Sequence, residues 1–180
     1  FSSQYSSLVV ILMQLGLKIV AEAIDRERVY RGVDLINKLA QCPENGHYFS
    51  NAPVKLYDCL VSMLAVTYTS VDSITAYHGE CERRNRVSAS KTPTAFQDLI
   101  DNEVRDLALE ALFSICQIST SCTEQIGSVP GCITLIRRCI KKGAENERFR
   151  SETAQRAAQL LILFSTRPQL SDILHSIMHD

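Results

Sequence analysis

His78 and Cys81, set among Glu80 and Glu82, form a short cluster of metal-ligating side chains. A structural zinc takes four Cys or His ligands, so such a cluster needs a second pair at similar spacing. His175 and His179 lie one helical turn apart, but far along the chain. The stretch supplies half a site at most, and solvated loop residues are the expected reading, with no metal and no cofactor. Cys116, Cys122, Cys132 and Cys139 fall mostly on apolar stripes, where a reduced thiol packs as a small hydrophobe. Seven cysteines, several of them used this way, do not make a disulfide framework, which points to a cytosolic or nuclear compartment.

Other chemistry is hard to place. There is no G-x-S-x-G elbow, no H-E-x-x-H pair and no phosphate-cradling loop, and 7 glycines leave little material for one. No catalytic residue, enzymatic activity or small-molecule substrate is expected.

Two basic runs remain. Arg83, Arg84, Arg86 and Lys91 stand beside Ser88, Ser90 and Thr92, so phosphorylation would shift a positive loop toward neutrality, and a solubilising loop is the alternative. Arg137, Arg138, Lys141 and Lys142 crowd the end of a helix, where cations complement the macrodipole and the last carbonyls. The same four side chains could receive an acidic partner segment. No aromatic platform is interleaved with them, so direct nucleic-acid binding is not expected. A net charge of −1 and a pI near 6.5 provide no global attraction to phosphate backbones or anionic membranes. The apolar run Leu8 to Val20 is interrupted by Gln14 and Lys18 and falls short of the roughly 20 residues of a membrane span.

The elements that carry these residues read as helices. Residues 1–7 are a polar, frayed start, and a helix from Ser7 to Ile24 is apolar on nearly all faces at first, leaving LVVILM at 8–13 to be covered by a partner or by the rest of a longer chain. Val29, Gly32, Val33, Ile36, Leu39 and Ala40 recur at three and four, giving a helix with one buried face that Pro43 to Gly46 stops. Asn51-Ala52-Pro53 predicts a polar N-cap with proline in the first turn of the next helix, whose stripe is Leu56, Cys59, Leu60, Met63 and Leu64. Val104 to Gly143 reads as one helical hairpin-like unit broken at Gly127 to Pro130.

These units repeat. Ala108, Ala111, Leu112 and Ile115 match Gly32, Leu35, Ile36 and Leu39, and Cys132, Leu135, Ile136, Cys139 and Ile140 match Leu56, Cys59, Leu60, Met63 and Leu64. A third stripe, Ala154, Ala157, Ala158, Leu161 and Phe164, ends at Pro168. Second and third copies are offset by roughly 46 residues, within the period of armadillo and HEAT repeats. First and second are offset by roughly 76, so about 30 residues are inserted, and polar composition places them at 69–98, with 79–94 as an exposed, mobile loop. Residues 1–180 are therefore expected to form a single all-α domain of a longer protein: an armadillo/HEAT-like right-handed superhelical stack of about three repeats plus a partial one.

The central unit resembles an armadillo repeat in its V-R-x-x-A-x-x-A-L and following G-x-x-P-x-x-I pattern. In an armadillo array the helix carrying Arg137 and its neighbours is the third of the repeat, the one lining the concave face. The helices that follow Pro53 and Pro130 lack the asparagines, and the chain lacks the tryptophans, with which importin-alpha-like grooves grip peptides. Gln14-Leu15-Gly16-Leu17, Arg31-Gly32 and Glu44-Asn45-Gly46, in that order, resemble the armadillo-like segment of the AT-rich-interaction-domain subunit of PBAF-type SWI/SNF chromatin remodellers. The long insertion departs from that family's pattern. The resemblance implies a nuclear, non-catalytic scaffold on which protein subunits of a remodelling complex assemble in transcription regulation. The alternative is an armadillo peptide-binding adaptor in cytoplasmic signalling or transport.

Overall fold

The computed structural model describes residues 2–22, 26–65, 95–145 and 151–178. Nine α-helices and no strand occur among the described residues: α1 (Ser2–Glu22), α2 (Arg26–Ala40), α3 (Gly46–Ser50), α4 (Val54–Met63), α5 (Ala95–Ile118), α6 (Thr120–Gly127), α7 (Cys132–Glu145), α8 (Ser151–Ser165) and α9 (Pro168–Met178). A 3-10 turn, Pro43–Asn45, links α2 to α3.

Four long helices lie side by side in the order α1, α2, α5, α8. The first joint is made by glycine. A Cβ on Gly16 would come within 2.9 Å of Ile36 Cγ1, and one on Gly32 within 2.9 Å of Ile19 Cγ2, so α1 and α2 approach closely only because both positions lack a side chain. Val9, Met13 and Val20 of α1 and Val29, Val33 and Ile36 of α2 fill the core around that joint. Between α2 and α5, Ala108, Leu109 and Leu112 are fully buried, and the Ser114 hydroxyl donates to Asn37 Oδ1 at 3.5 Å.

Helices α4 and α7 pack against this layer, with α3, α6 and α9 as short connecting helices. Here the hairpin expected from Val104 to Gly143 is corrected. The segment contains three helices, because the run breaks at Ser119, whose side chain accepts from the backbone N–H of Cys122 at 3.4 Å and starts α6. Thr123 adds a bond from its hydroxyl to the Cys116 carbonyl at 3.1 Å, satisfying a carbonyl left open at the end of α5. After this turn α7 packs along α8, the helix that follows it, and α4 likewise packs on α5. In chain order a short helix is twice followed by a helix and then a long helix: α3–α4–α5, then α6–α7–α8.

Of the positions expected to correspond at an offset of 76, Leu64 is buried and Ile140 half-buried, and Leu39 is half-buried and Ile115 buried. Leu56 and Cys132, Leu60 and Ile136, and Met63 and Cys139 are buried in matching pairs, while Cys59 and Leu135 are both half-buried. Other details differ from expectation. Helix α1 starts at Ser2, so the expected frayed start is helical. Asn51 does not cap α4; its amide donates backward to the His47 carbonyl at 2.7 Å, and Pro53 itself is the N-cap, with no side-chain cap bond. Pro168 opens α9, and α8 has already ended at Ser165. In α8 the buried line is Thr153, Ala157, Leu160 and Phe164, with Ala154, Ala158 and Leu161 half-buried. Of the segment expected as an inserted loop, 95–98 belong to α5 and 69–94 lie outside the described residues.

Candidate functional site

A cleft of about 250 Å3 opens on the α2–α5–α8 layer, lined by Tyr30, Glu103, Asp106, Leu107, Glu110, Glu152, Thr153 and Arg156. Helical spacing positions its carboxylates: 103, 106, 107 and 110 recur at three and four along one stripe of α5, and 152, 153 and 156 do the same on α8. Asp106 is bound into the scaffold. The Thr153 hydroxyl donates to its Oδ1 at 2.6 Å, and the buried Arg105 guanidinium to the same oxygen at 3.2 Å. Glu110 accepts from Arg156 at 3.0 Å across the α5–α8 joint. These contacts tie α8 to α5, and they hold two of the four carboxylates in structural pairs.

A second polar cluster lies where α3, α4 and α6 meet. The Ser50 and Ser119 hydroxyls are 2.7 Å apart, and the Gln125 amide donates to the Ser50 carbonyl at 3.1 Å. The Tyr57 hydroxyl lies 3.4 Å from Cys122 Sγ and donates to the Phe49 carbonyl. Desolvation raises the Tyr57 pKa well above the usual phenol range, so the group stays a neutral donor. Cys116 is likewise pushed up by burial, with the Thr123 hydrogen bond acting the other way, and burial pushes Cys132 up to about 12. These thiols are kept protonated in the core, the reverse of the environment that activates a nucleophilic cysteine. Among the described residues, no group of three or more His, Cys, Asp or Glu side chains is placed to hold a metal ion.

Arg137, Arg138 and Lys141 sit on α7, outside the cleft lining. Arg138 and Lys141 are exposed and Arg137 is half-buried; the side chain of Lys142 is outside the described set. Helix α7 packs on α8 and α6. The other expected patch, Arg83, Arg84, Arg86, Ser88 and Ser90, lies outside the described residues, as do His78, Cys81 and Lys91. Sequence reading missed the cleft. The acidic stripe at 103, 106 and 110 was a visible signal, but its partners Tyr30 and Arg156 come from helices remote in sequence.

No helix among the described residues is long and apolar enough to cross a membrane. No protein family, no curated protein and no solved structure matches the chain significantly.

Proposed function

We propose that the chain is a non-catalytic armadillo-like scaffold on which protein subunits of a SWI/SNF-type chromatin-remodelling complex assemble in the nucleus. The supporting observation concerns the glycines in the sequence marks that resemble the PBAF subunit. Gly16 and Gly32 form the α1–α2 joint, and a Cβ on Gly46 would come within 2.9 Å of the Ile118 carbonyl oxygen at the end of α5. All three marks thus carry a contact between helices, which a rigid helical packing block requires. The side-by-side layer and the partly matching burial at an offset of 76 fit a helical-repeat scaffold, whose wide faces bind partners by burying apolar area around a few charged anchors.

Affinity purification of the tagged chain from nuclear extract tests this reading. Recovery of the remodelling ATPase together with other subunits of its complex supports it, and recovery of none of them rejects it. The exposure of Arg138 and Lys141 favours one second reading, a peptide-binding adaptor. That reading requires micromolar binding of a short acidic peptide, lost when Arg137, Arg138 and Lys141 are changed to alanine.

A further inference from the structure

The short helices α3, α6 and α9 are held to the fold in two different ways. Polar bonds fasten the first two: the Ser50 and Ser119 hydroxyls meet at 2.7 Å, Gln125 donates to the Ser50 carbonyl, Tyr57 to that of Phe49, and Thr123 to that of Cys116. No side-chain hydrogen bond or ion pair joins α9 to another helix among the described residues. Its hold is one knob. Leu170 is buried in the core over Gly127 of α6, where the missing Cβ leaves the space that the leucine fills. One turn on, Leu174 is half-buried, while Gln169, Asp172, Ile173 and His175 are exposed. At the link between α8 and α9, Arg167 Nε is buried with no hydrogen-bond partner, a cost to the docked state that water would relieve on opening.

We infer that α9 is a releasable strap, resting in a leucine-accepting socket on α6, and that a partner helix of the same chemistry takes the socket when the strap lifts. An element with one buried anchor and no polar ties belongs to the low-stability end of a fold, where opening is local. The strap itself defines what replaces it: an amphipathic helix with leucine at the Gly127 socket and aliphatic residues three and four positions later, as Leu170, Ile173 and Leu174 stand in α9. Tethering sets the competition. The link is only Thr166-Arg167, which holds α9 beside its socket at an effective concentration of roughly millimolar or more. A docked strap therefore keeps a weaker partner off, which makes the contact autoinhibitory. The inference goes beyond the scaffold reading and does not rest on it.

The test is fluorescence anisotropy with the whole 180-residue chain and a labelled synthetic peptide of the sequence 167–178. Substitution Leu170→Ala empties the socket, so the L170A chain should bind the peptide saturably and at least tenfold more tightly than the parent does. A G127A/L170A chain should lose that binding, because the added methyl occupies the socket. Hydrogen exchange supplies the second measurement: L170A should speed exchange in 172–178 at least tenfold and leave α5 and α8 as in the parent. Failure of the peptide to bind the L170A chain overturns the inference, as does equal binding to the parent and to G127A/L170A. So does exchange in the parent at one common rate for 172–178, α5 and α8, which would show that α9 opens only with the core. Should circular dichroism show L170A to be unfolded throughout, α9 is an integral part of the core and the inference likewise fails.

Discussion

Tyr57 and Cys122, 65 positions apart in sequence, meet with the phenolic oxygen 3.4 Å from the sulfur, inside the junction of the two helical groups. The phenol donates to the Phe49 carbonyl, the better acceptor, with the Cys122 sulfur as a weaker second acceptor beside it. Both residues are fully buried. Substitution Tyr57→Phe keeps the ring and removes that hydrogen bond, but the Phe49 carbonyl still accepts from the Ala52 N–H at 2.9 Å, so the loss should be about 0.5–1.5 kcal/mol. Tyr57→Ala also opens a cavity and should cost about 3–5 kcal/mol. Urea unfolding of both variants checks the order; equal stabilities of Tyr57→Phe and the parent would show the hydrogen bond to be without net value.

Glycine positions give a second prediction. A Cβ on Gly127 would overlap Leu170, the buried anchor by which α9 docks on α6. Gly127→Ala should destabilise the chain by about 1–3 kcal/mol, as overpacking does, and should loosen α9 before the rest. Hydrogen exchange is the measurement, with faster exchange expected in 168–178 than elsewhere. Gly131 differs in kind: it has φ of 78° and nothing near its missing Cβ, so Gly131→Ala costs only backbone strain of about 1–2 kcal/mol and leaves α9 untouched.

Cysteine titration sets a pH dependence. An ordinary thiol titrates near 9.0, whereas burial holds Cys132 at about 12 and raises Cys116 as well. Below pH 9 both folded and unfolded chains keep these protons, and the contribution to stability is fully present. As pH rises past 9 only the unfolded chain releases them, so stability falls by about 1.4 kcal/mol per pH unit for each thiol until the folded value is reached. Urea midpoints at pH 8 and pH 10 should show this loss, and a C116A/C132A chain should show a shallower one. Site-resolved alkylation at pH 8 should modify exposed Cys42 first, half-buried Cys59 more slowly, and Cys116, Cys122, Cys132 and Cys139 only on unfolding.

Across the α5–α8 joint, the two polar ties should differ in strength. Arg156 and Glu110 are each about one-third exposed, so their pair is partly screened and Arg156→Gln should cost no more than about 1 kcal/mol. Thr153 is buried and donates at 2.6 Å to a carboxylate. Thr153→Val removes that charge-assisted bond and should cost about 1.5–3 kcal/mol. Chemical denaturation of both variants measures the difference; a larger loss for Arg156→Gln would contradict the account of the joint.

Much of this fold was legible because helical periodicity is local. The stripes of α2 and α4 are buried as read except at Leu39 and Cys59, which are half-buried. What escaped was set by contacts between elements. Ser119 interrupts an apolar run without a glycine or proline to mark the break, so α6 and the pairing of α7 with α8 stayed hidden. Asn51 has the residue type of a cap, but its side chain bonds backward because Pro53 fixes the start of α4. Glu44-Asn45-Gly46 looked like simple punctuation; in the fold the Asn45 amide donates to the Leu39 carbonyl at 2.8 Å and Gly46 lies against the Ile118 backbone. The buried line of α8 is shifted by about one residue because a stripe rich in alanine leaves the facing side open. The cleft was out of reach, since its walls come from three helices joined only by packing.

The central claim is that this chain is a scaffold within a SWI/SNF-type assembly. Quantitative affinity purification of the tagged chain from nuclear extract, followed by size-exclusion separation of the eluate, tests it most directly. The account predicts that the chain comigrates with the remodelling ATPase and further subunits in one large species. Elution of the chain alone at the size of a 20.1 kDa protein, with no remodeller subunit enriched, would contradict it.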